Sequence, residues 1–472
     1  MATTTSQIAA VRRTLWQSLV EAVRGSQQDF TEGSISRAVL LLATPMVLEM
    51  FMESLFAIVD VYWVSRLGAD AVATVGLSES ILSLVFSVAF GVCFSTTAMV
   101  ARRIGEKDPR GASIAAVQAI ALGIALAVAM GVPGFIFAPR LLALMGASPA
   151  VIATGHNYTR IVLGGNLAVM LLFLINAVFR GAGDAAVAMR VLWVSNLINL
   201  ALDPCLIFGL GPFHALGVTG AAVSTLTGRS LGVVYQLWIL FRGHSRIRVR
   251  WEDVAIVPGV LFRLARVSAT GVLQGAIAHT SWIAMVRIIS SFGSGAVAGY
   301  TIGIRVFVFF LMPAWGLSGA AATMVGQNLG AKKPARAERA VYLTGFYNMI
   351  FLGAIGALFV LSPEALVGVF TGDPAVAPHA VSCLRIVGYG NLAYAFGMVM
   401  VQAFNGAGDT LTPTFINLIG FWLCEIPLAW LLAYRVGWGV RGVFAAIPIS
   451  EAFITLMGLT MFMRGGWKRR AI

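Results

Sequence analysis

Charge is what this chain has least of. Only 11% of its 472 residues are charged and 58% are hydrophobic, whereas a soluble globular domain is about 25% charged. The shortage excludes an ordinary water-soluble fold. It leaves long apolar runs, many reaching the roughly 18 residues that signal a membrane helix. Cysteine is scarce as well. Cys93, Cys205, Cys383 and Cys424 all fall in apolar runs without metal-ligand spacing, so they read as small core hydrophobes. The 5 histidines are scattered, which argues against a metal centre. No G-x-x-x-x-G-K-[ST] loop occurs, so the chain carries no P-loop ATPase. No nucleophile–base set emerges either. The expectation is a protein that is not an enzyme, has no cofactor, and draws any work from an ion gradient.

What is present is helical apolar sequence in quantity, against the short alternating strands of a membrane β-barrel. Twelve spans are expected between residues 37 and 463. The net charge of +13 does not read as a nucleic-acid footprint, because the positives gather in alternate connections. Arg102, Arg103, Lys107 and Arg110 follow the second span. Arg246, Arg248 and Arg250 follow the sixth, and Lys332, Lys333 and Arg336 follow the eighth. "FGLGPFHALG" and "SSFGSG" carry no Lys or Arg; Arg435 and Arg441 are the main exception. The positive-inside rule then places both termini in the cytoplasm, with the chain multi-pass in a bacterial inner membrane. Residues 1–36 lack the pattern of a secretory signal. They read as an interfacial amphipathic helix or as a cytoplasmic tail, the former from Ile8, Val11, Leu15, Leu19 and Val23.

The chain also repeats itself at an offset of 225. "LGADAVATVG" (67–76) matches "FGSGAVAGYT" (292–301), Gly91 matches Gly316, Gly105 matches Gly330, and "FRGAGD" (179–184) matches "FNGAGD" (404–409). Towards the end the offset drifts by three, from "GVTG" (217–220) to "GVRG" (439–442). Six spans per half put both halves the same way up, a parallel repeat with a binding site expected between the lobes. The expected parts are an N-lobe at 37–241, a basic linker at 242–259, a C-lobe at 260–463 and a basic tail at 464–472.

The halves differ in their acids. Asp60 maps to Met285, Glu53 to Ala278, Glu79 to Ile304 and Glu49 to Gln274. Asp203 maps to Leu428 at 225, or faces Glu425 at 222. Glu49, Glu53, Phe56 and Asp60 are spaced 4, 3 and 4, so they share one helix face; Asn196, Asn199 and Asp203 share another. A carboxylate inside a span is costly and by default functional. The polar site is therefore expected in the N-lobe, with Asp60, Asp203, Asn199 and Glu53 as its members. Asp184 and Asp409 of the "GAGD" turns are expected to be structural.

Taken in order, "IVDVYWVSRLGADAVATVGL", "MVARRIGEKD", "FRGAGD", "NLINLALDPCLIFG", "MVGQNLGAKKP" and "FNGAGDTLTP" resemble the multidrug and toxic-compound extrusion (MATE) family. The resemblance spans about 36 to 463. It implies a two-lobed antiporter that expels organic cations in exchange for H⁺ or Na⁺. It also implies that Asp60, Asn199, Asp203, Thr225 and Asn176 belong to the cation site, with Na⁺ as a possible occupant at Asp60, Asn199, Asp203 and Thr225. The seventh and tenth spans lack the acids of the NorM-type branch, which leaves coupling to the N-lobe. Phe56, Trp63, Met285, Trp315 and Met398 are expected to line a substrate cavity between the lobes, suited to flat cationic or amphipathic molecules. Membrane lipids are the other expected partners, nucleic acid is not one, and the chain is expected to act as a monomer. The rival reading is a flippase for a lipid-linked precursor; it requires Arg or Lys inside the N-lobe spans, and that lobe reads as acidic.

Overall fold

The computed structural model describes residues 16–26, 28–242, 245–470 and 472. Most of the amphipathic pattern at the N-terminus lies outside the described residues. Its end, 16–24, is helical, with Ala22 buried and Trp16, Leu19 and Val23 exposed.

Twelve long helices follow, with no strand among the described residues. The first six are α1 (Ile35–Ser65), α2 (Ala69–Gly105), α3 (Pro109–Leu144), α4 (Pro149–Ala182), α5 (Ala185–Phe208) and α6 (Val218–Arg242). The second six are α7 (Pro258–Ser290), α8 (Ser294–Gly330), α9 (Pro334–Leu361), α10 (Ala377–Gly406), α11 (Leu411–Arg435) and α12 (Val440–Met463). Eleven are long and apolar enough to cross a membrane. The exception is α6, whose polar residues turn inwards: Ser224, Arg229 and Gln236 are all buried.

The repeat is visible in how the helices stop. α2 and α8 each have 37 residues and start at the same offset of 225. Each ends at a lysine with φ of +59°, Lys107 and Lys332, a conformation that costs a non-glycine residue about 1 kcal/mol. Around each lysine the backbone bonds close the same terminal motif. Lys107 N–H donates to Ile104 and Asp108 N–H to Arg103; Lys332 N–H donates to Leu329 and Lys333 N–H to Asn328. Pro109 and Pro334 then open the next helix, where the missing N–H does no harm.

The drift also has a structural cause. Gly217 N–H bonds Ile207, and its counterpart Gly439 N–H bonds Ala433. These anchors put the end of α5 at an offset of 226 and the start of α6 at 222. The extra residue in α11 is absorbed by π-helical turns at Leu418–Glu425 and Leu431–Arg435, the usual way a helix takes an insertion. The following loop is four residues shorter. Asp203 therefore corresponds to Leu428 or Ala429, according to which π turn takes the extra residue, and the offset of 222 that would set it against Glu425 begins only after the loop.

The lobes meet through α1 on α8, α2 on α7 and α2 on α8. The closest approaches are two symmetric glycine pairs. A Cβ on Gly91 would sit 2.5 Å from Val272 N, and one on Gly316 2.3 Å from Met46 O. Nearer the basic loops, a Cβ on Gly105 would lie 1.9 Å from Gln327 O, and one on Gly330 2.2 Å from Arg102 O. Ser95 bonds Ser268 at 2.6 Å, and Thr323 and Gln327 donate to the Arg180 and Gly181 carbonyls at 3.0 Å. Beyond Ser54 and Ser87 towards the other end, no interlobe hydrogen bond occurs among the described residues.

Both chain ends cross this seam. Arg246 donates to the Ser26 and Gln28 carbonyls and Arg336 to those of Glu32 and Gly33. Arg470 pairs with Asp409 at 3.1 Å, and its carbonyl accepts from Arg102 at 2.7 Å. Asp184 accepts from Ser245 and from the Arg246 backbone. The two "GAGD" carboxylates thus hold loops and tail.

Candidate functional site

The face of α1 that carries Glu49, Glu53 and Asp60 turns into the N-lobe, and each carboxylate meets a different environment. Glu49 is fully buried. Its Oε1 accepts from Asn176 Nδ2 at 2.9 Å and from Arg180 Nη1 at 2.7 Å. Gln236 in turn donates to Asn176 Oδ1 at 2.7 Å. This knot ties α1, α4 and α6 together.

Glu53 lies about one turn further along. Arg229 of α6 grips it with both terminal nitrogens, at 2.6 and 3.3 Å, and Asn196 donates to it at 3.0 Å. The Arg229 side chain is 5% exposed and that of Glu53 13%. The guanidinium lies 5.1 Å from the Phe56 ring centre and 5.5 Å from that of Phe173.

Asp60 has no such partner. Its Oδ1 is buried without a hydrogen bond, and Asp203, Glu79 and Arg229 act on it through space. Asp203 is fully buried. The Ser224 hydroxyl donates to its Oδ1, while Oδ2 has no partner. Asn199 donates to Thr225 Oγ1 at 3.0 Å, which leaves its own Oδ1 unpartnered. Three buried oxygens, on Asp60, Asp203 and Asn199, therefore stand without donors. Tyr158, buried in the helix cluster beside them, feels the same carboxylates. Buried acceptors are normally satisfied; Glu49 Oε2, Gln236 Oε1 and several asparagine oxygens elsewhere are bare as well, and what sets this group apart is that two of its three oxygens belong to carboxylates.

The structure brings Asp203, Asn199 and Thr225 together, with Asp60 close by in electrostatic terms. It puts Asn176 and Glu53 elsewhere. Asn176 serves Glu49, and Glu53 serves Arg229. Two residues escaped the sequence reading. Ser224 sits in a run of small residues spaced by four, Gly220, Ser224, Gly228 and Gly232, which signals close helix packing. Arg229 interrupts the sixth span, and with Arg180 it corrects the reading of the N-lobe interior as purely acidic.

The expected cavity liners divide. Phe56 lies under Arg229, and Trp315 stacks across the lobes on Phe90 at 5.3 Å. Met285 is 1% exposed in the C-lobe core; it occupies the place of Asp60 and, like it, points into its own lobe rather than between lobes. Trp63 packs against Phe208 at the end of α5, at 6.0 Å. Met398 packs against a cluster of α8, α9 and α10. The C-lobe buries acids of its own, Glu425 and Glu451, on α11 and α12, not on the seventh or tenth helices.

A helical membrane protein of two parallel six-helix lobes, with polar residues buried inside one of them, has the form of a secondary transporter. The comparisons agree. The MatE family profile matches residues 45–205 and 268–431, one segment in each lobe. The chain belongs to the MATE family of efflux transporters. It is 30% identical to a probable multidrug resistance protein NorM of Pseudomonas aeruginosa, over 88% of each chain. It is 26% identical to a probable NorM of Thermotoga maritima, over 93% of this chain and 94% of that one. It is also 26% identical to an FAD transporter of Shewanella oneidensis, over 91% and 94%. Among solved structures, an outward-facing MATE family transporter of the MOP superfamily superposes with a TM-score of 0.88 at 24% identity, covering 94% of this chain and 98% of that one. A MOP superfamily transporter from Pyrococcus furiosus Vc1, described as having a binding pocket of reversed polarity, gives 0.87 at 23% identity, covering 94% and 98%.

Proposed function

We propose that this chain is a secondary active antiporter that exports organic cations in exchange for H⁺ or Na⁺ by alternating access, with the coupling ion held at Asp60 and Asp203 in the N-lobe. The observation that carries the reading is the set of partnerless buried oxygens on Asp60, Asp203 and Asn199. A proton satisfies a carboxylate directly. Sodium would take the same oxygens, with the Thr225 hydroxyl within reach of Asn199. The basic-loop end is placed on the cytoplasmic side of a bacterial inner membrane, with both termini there. On that placement the glycine seam closes the cytoplasmic end. Exchange of one H⁺ or Na⁺ for one monovalent organic cation moves no net charge, so the ion's concentration gradient drives it; each further ion per cycle would add about 2.3 kcal/mol per 100 mV. One chain supplies both lobes, so a monomer suffices.

A flippase reading needs a free cation in the N-lobe for a pyrophosphate headgroup. A glutamate holds Arg180 and another holds Arg229; Arg160 of α4 has no acidic partner among the described residues, but it lines an apolar pocket with Val128, Phe135 and Leu226. The test is ethidium uptake into everted vesicles, the direction of export, with a pH or a Na⁺ gradient imposed separately. One of the two is expected to drive transport; if neither does, antiport is refuted.

A further inference from the structure

Within the N-lobe, one side chain is held in surroundings that would also hold a small flat cation. The Arg229 guanidinium is planar, delocalised and positive. It meets a carboxylate fork on one edge, at 2.6 and 3.3 Å from Glu53. The ring centres of Phe56 and Phe173 lie 5.1 and 5.5 Å from its carbon, within the range of cation–π attraction. Asn196 steadies the carboxylate from the side at 3.0 Å. Phe173 continues into Phe86 and Phe90, and Phe90 stacks on Trp315 of the other lobe. An aromatic path therefore runs from the interlobe contact to this carboxylate.

We propose that Arg229 is a tethered competitor of the substrate: its guanidinium fills a cage of Glu53, Phe56 and Phe173 that receives a flat organic cation when the arginine swings out. The idea rests on the export of organic cations proposed above and adds the place where the cation is read. Removing a cation from Glu53 without replacement would leave a buried unpaired charge, which is strongly unfavourable. Arginine and substrate therefore exchange, and the cage is not left empty. The displaced arginine has a second carboxylate to approach. Asp60 lies two turns along the same face of α1, roughly 10 Å away; Arg229 already acts on it through space, and its Oδ1 has no hydrogen-bond partner. One side chain then connects substrate binding at Glu53 with the charge state at Asp60.

The experiment measures equilibrium binding of ethidium to the purified full chain in nanodiscs, with no gradient. If displacing Arg229 costs the substrate a decade of affinity, about 1.4 kcal/mol, Arg229→Gln should bind ethidium about tenfold more tightly than wild type. Glu53→Gln in the same background should abolish that gain. An affinity for Arg229→Gln equal to or weaker than wild type overturns the proposal. Phe56→Leu and Phe173→Leu leave the ion pair in place and guard against a variant that does not fold. Each should weaken ethidium binding several-fold, and unchanged affinity in both overturns the cage. Arg229→Ala adds a direct readout: millimolar ethylguanidinium should raise its melting temperature but not that of Glu53→Ala/Arg229→Ala, and equal responses count against it. Asp60→Asn removes the alternative partner and should weaken ethidium binding; unchanged affinity overturns the swing. All arms are binding measurements. Failure of gradient-driven efflux would refute antiport without touching them, and a flat binding result would refute the cage while antiport stands.

Discussion

The two lobes share a backbone and bury different chemistry. At the offset of 225, Asp60 faces Met285, Glu53 faces Ala278 and Glu49 faces Gln274. At 222, Arg229 faces Glu451, Ser224 faces Ala446 and Thr225 faces Ile447. Met285 is 1% exposed and Ala446 fully buried, so the apolar versions pack without difficulty. The C-lobe forms the same helices with apolar residues at the places of Asp60 and Ser224. Since a charge inside a span is expensive, the difference between the lobes separates what serves the fold from what serves a function.

The largest expected effect tests that separation directly. Asp60→Asn should reduce gradient-driven ethidium efflux to the level of vesicles lacking the protein. Size-exclusion chromatography should show it folded, because Met285 fills the same place in the C-lobe. Glu425→Gln, in the matching stretch of α11, should retain most of the efflux. Wild-type transport by Asp60→Asn, or equal losses in the two variants, would erase the asymmetry.

The seam between the lobes should behave in the opposite way, alike on both sides. A methyl group on Gly105 or on Gly330 collides with a backbone carbonyl of the other lobe, at 1.9 and 2.2 Å. Overpacking of this kind costs about 1–3 kcal/mol. Gly105→Ala and Gly330→Ala should therefore lower the melting temperature by similar amounts. A large loss in one and none in the other would show that the seam is not symmetric.

Much of this was legible in the sequence because its physics is local. Apolar runs, basic loops and a constant offset define the helices, the parallel lobes and the glycines where they touch. Helical spacing put Glu49, Glu53 and Asp60 on one face. It did not say that the face runs past three different neighbours. Asn176 and Thr225 came from family likeness alone, and only Thr225 joined Asn199. Arg229 and Glu53 are 176 residues apart, and nothing in either local pattern announces the pair. The π-helical insertion in α11 was invisible for another reason: one extra residue and a loop four residues shorter combine into a net drift of three, which hides that there are two changes.

The smallest effect concerns Ser224, and the C-lobe again supplies the control. Its hydroxyl is the one donor that the structure gives Asp203. Ser224→Ala removes it and leaves both carboxylate oxygens bare. Alanine already stands at the matching place in α12, so the backbone accepts the change. The cost falls on the ion-free state, as a buried acceptor that loses its donor, about 1–3 kcal/mol. A bound proton or Na⁺ would satisfy the same oxygen, so the ion-bound state loses less. The variant should melt a few degrees lower without the coupling ion, and the difference from wild type should shrink when the ion is saturating. Efflux should half-saturate at a lower ion concentration, about tenfold lower if the full 1.4 kcal/mol of a decade is recovered on binding. Titration of ethidium efflux against external pH and against Na⁺ measures this directly. A melting difference that persists unchanged at saturating ion would mean that Ser224 only supports the packing of α5 on α6, and that Asp203 binds no ion.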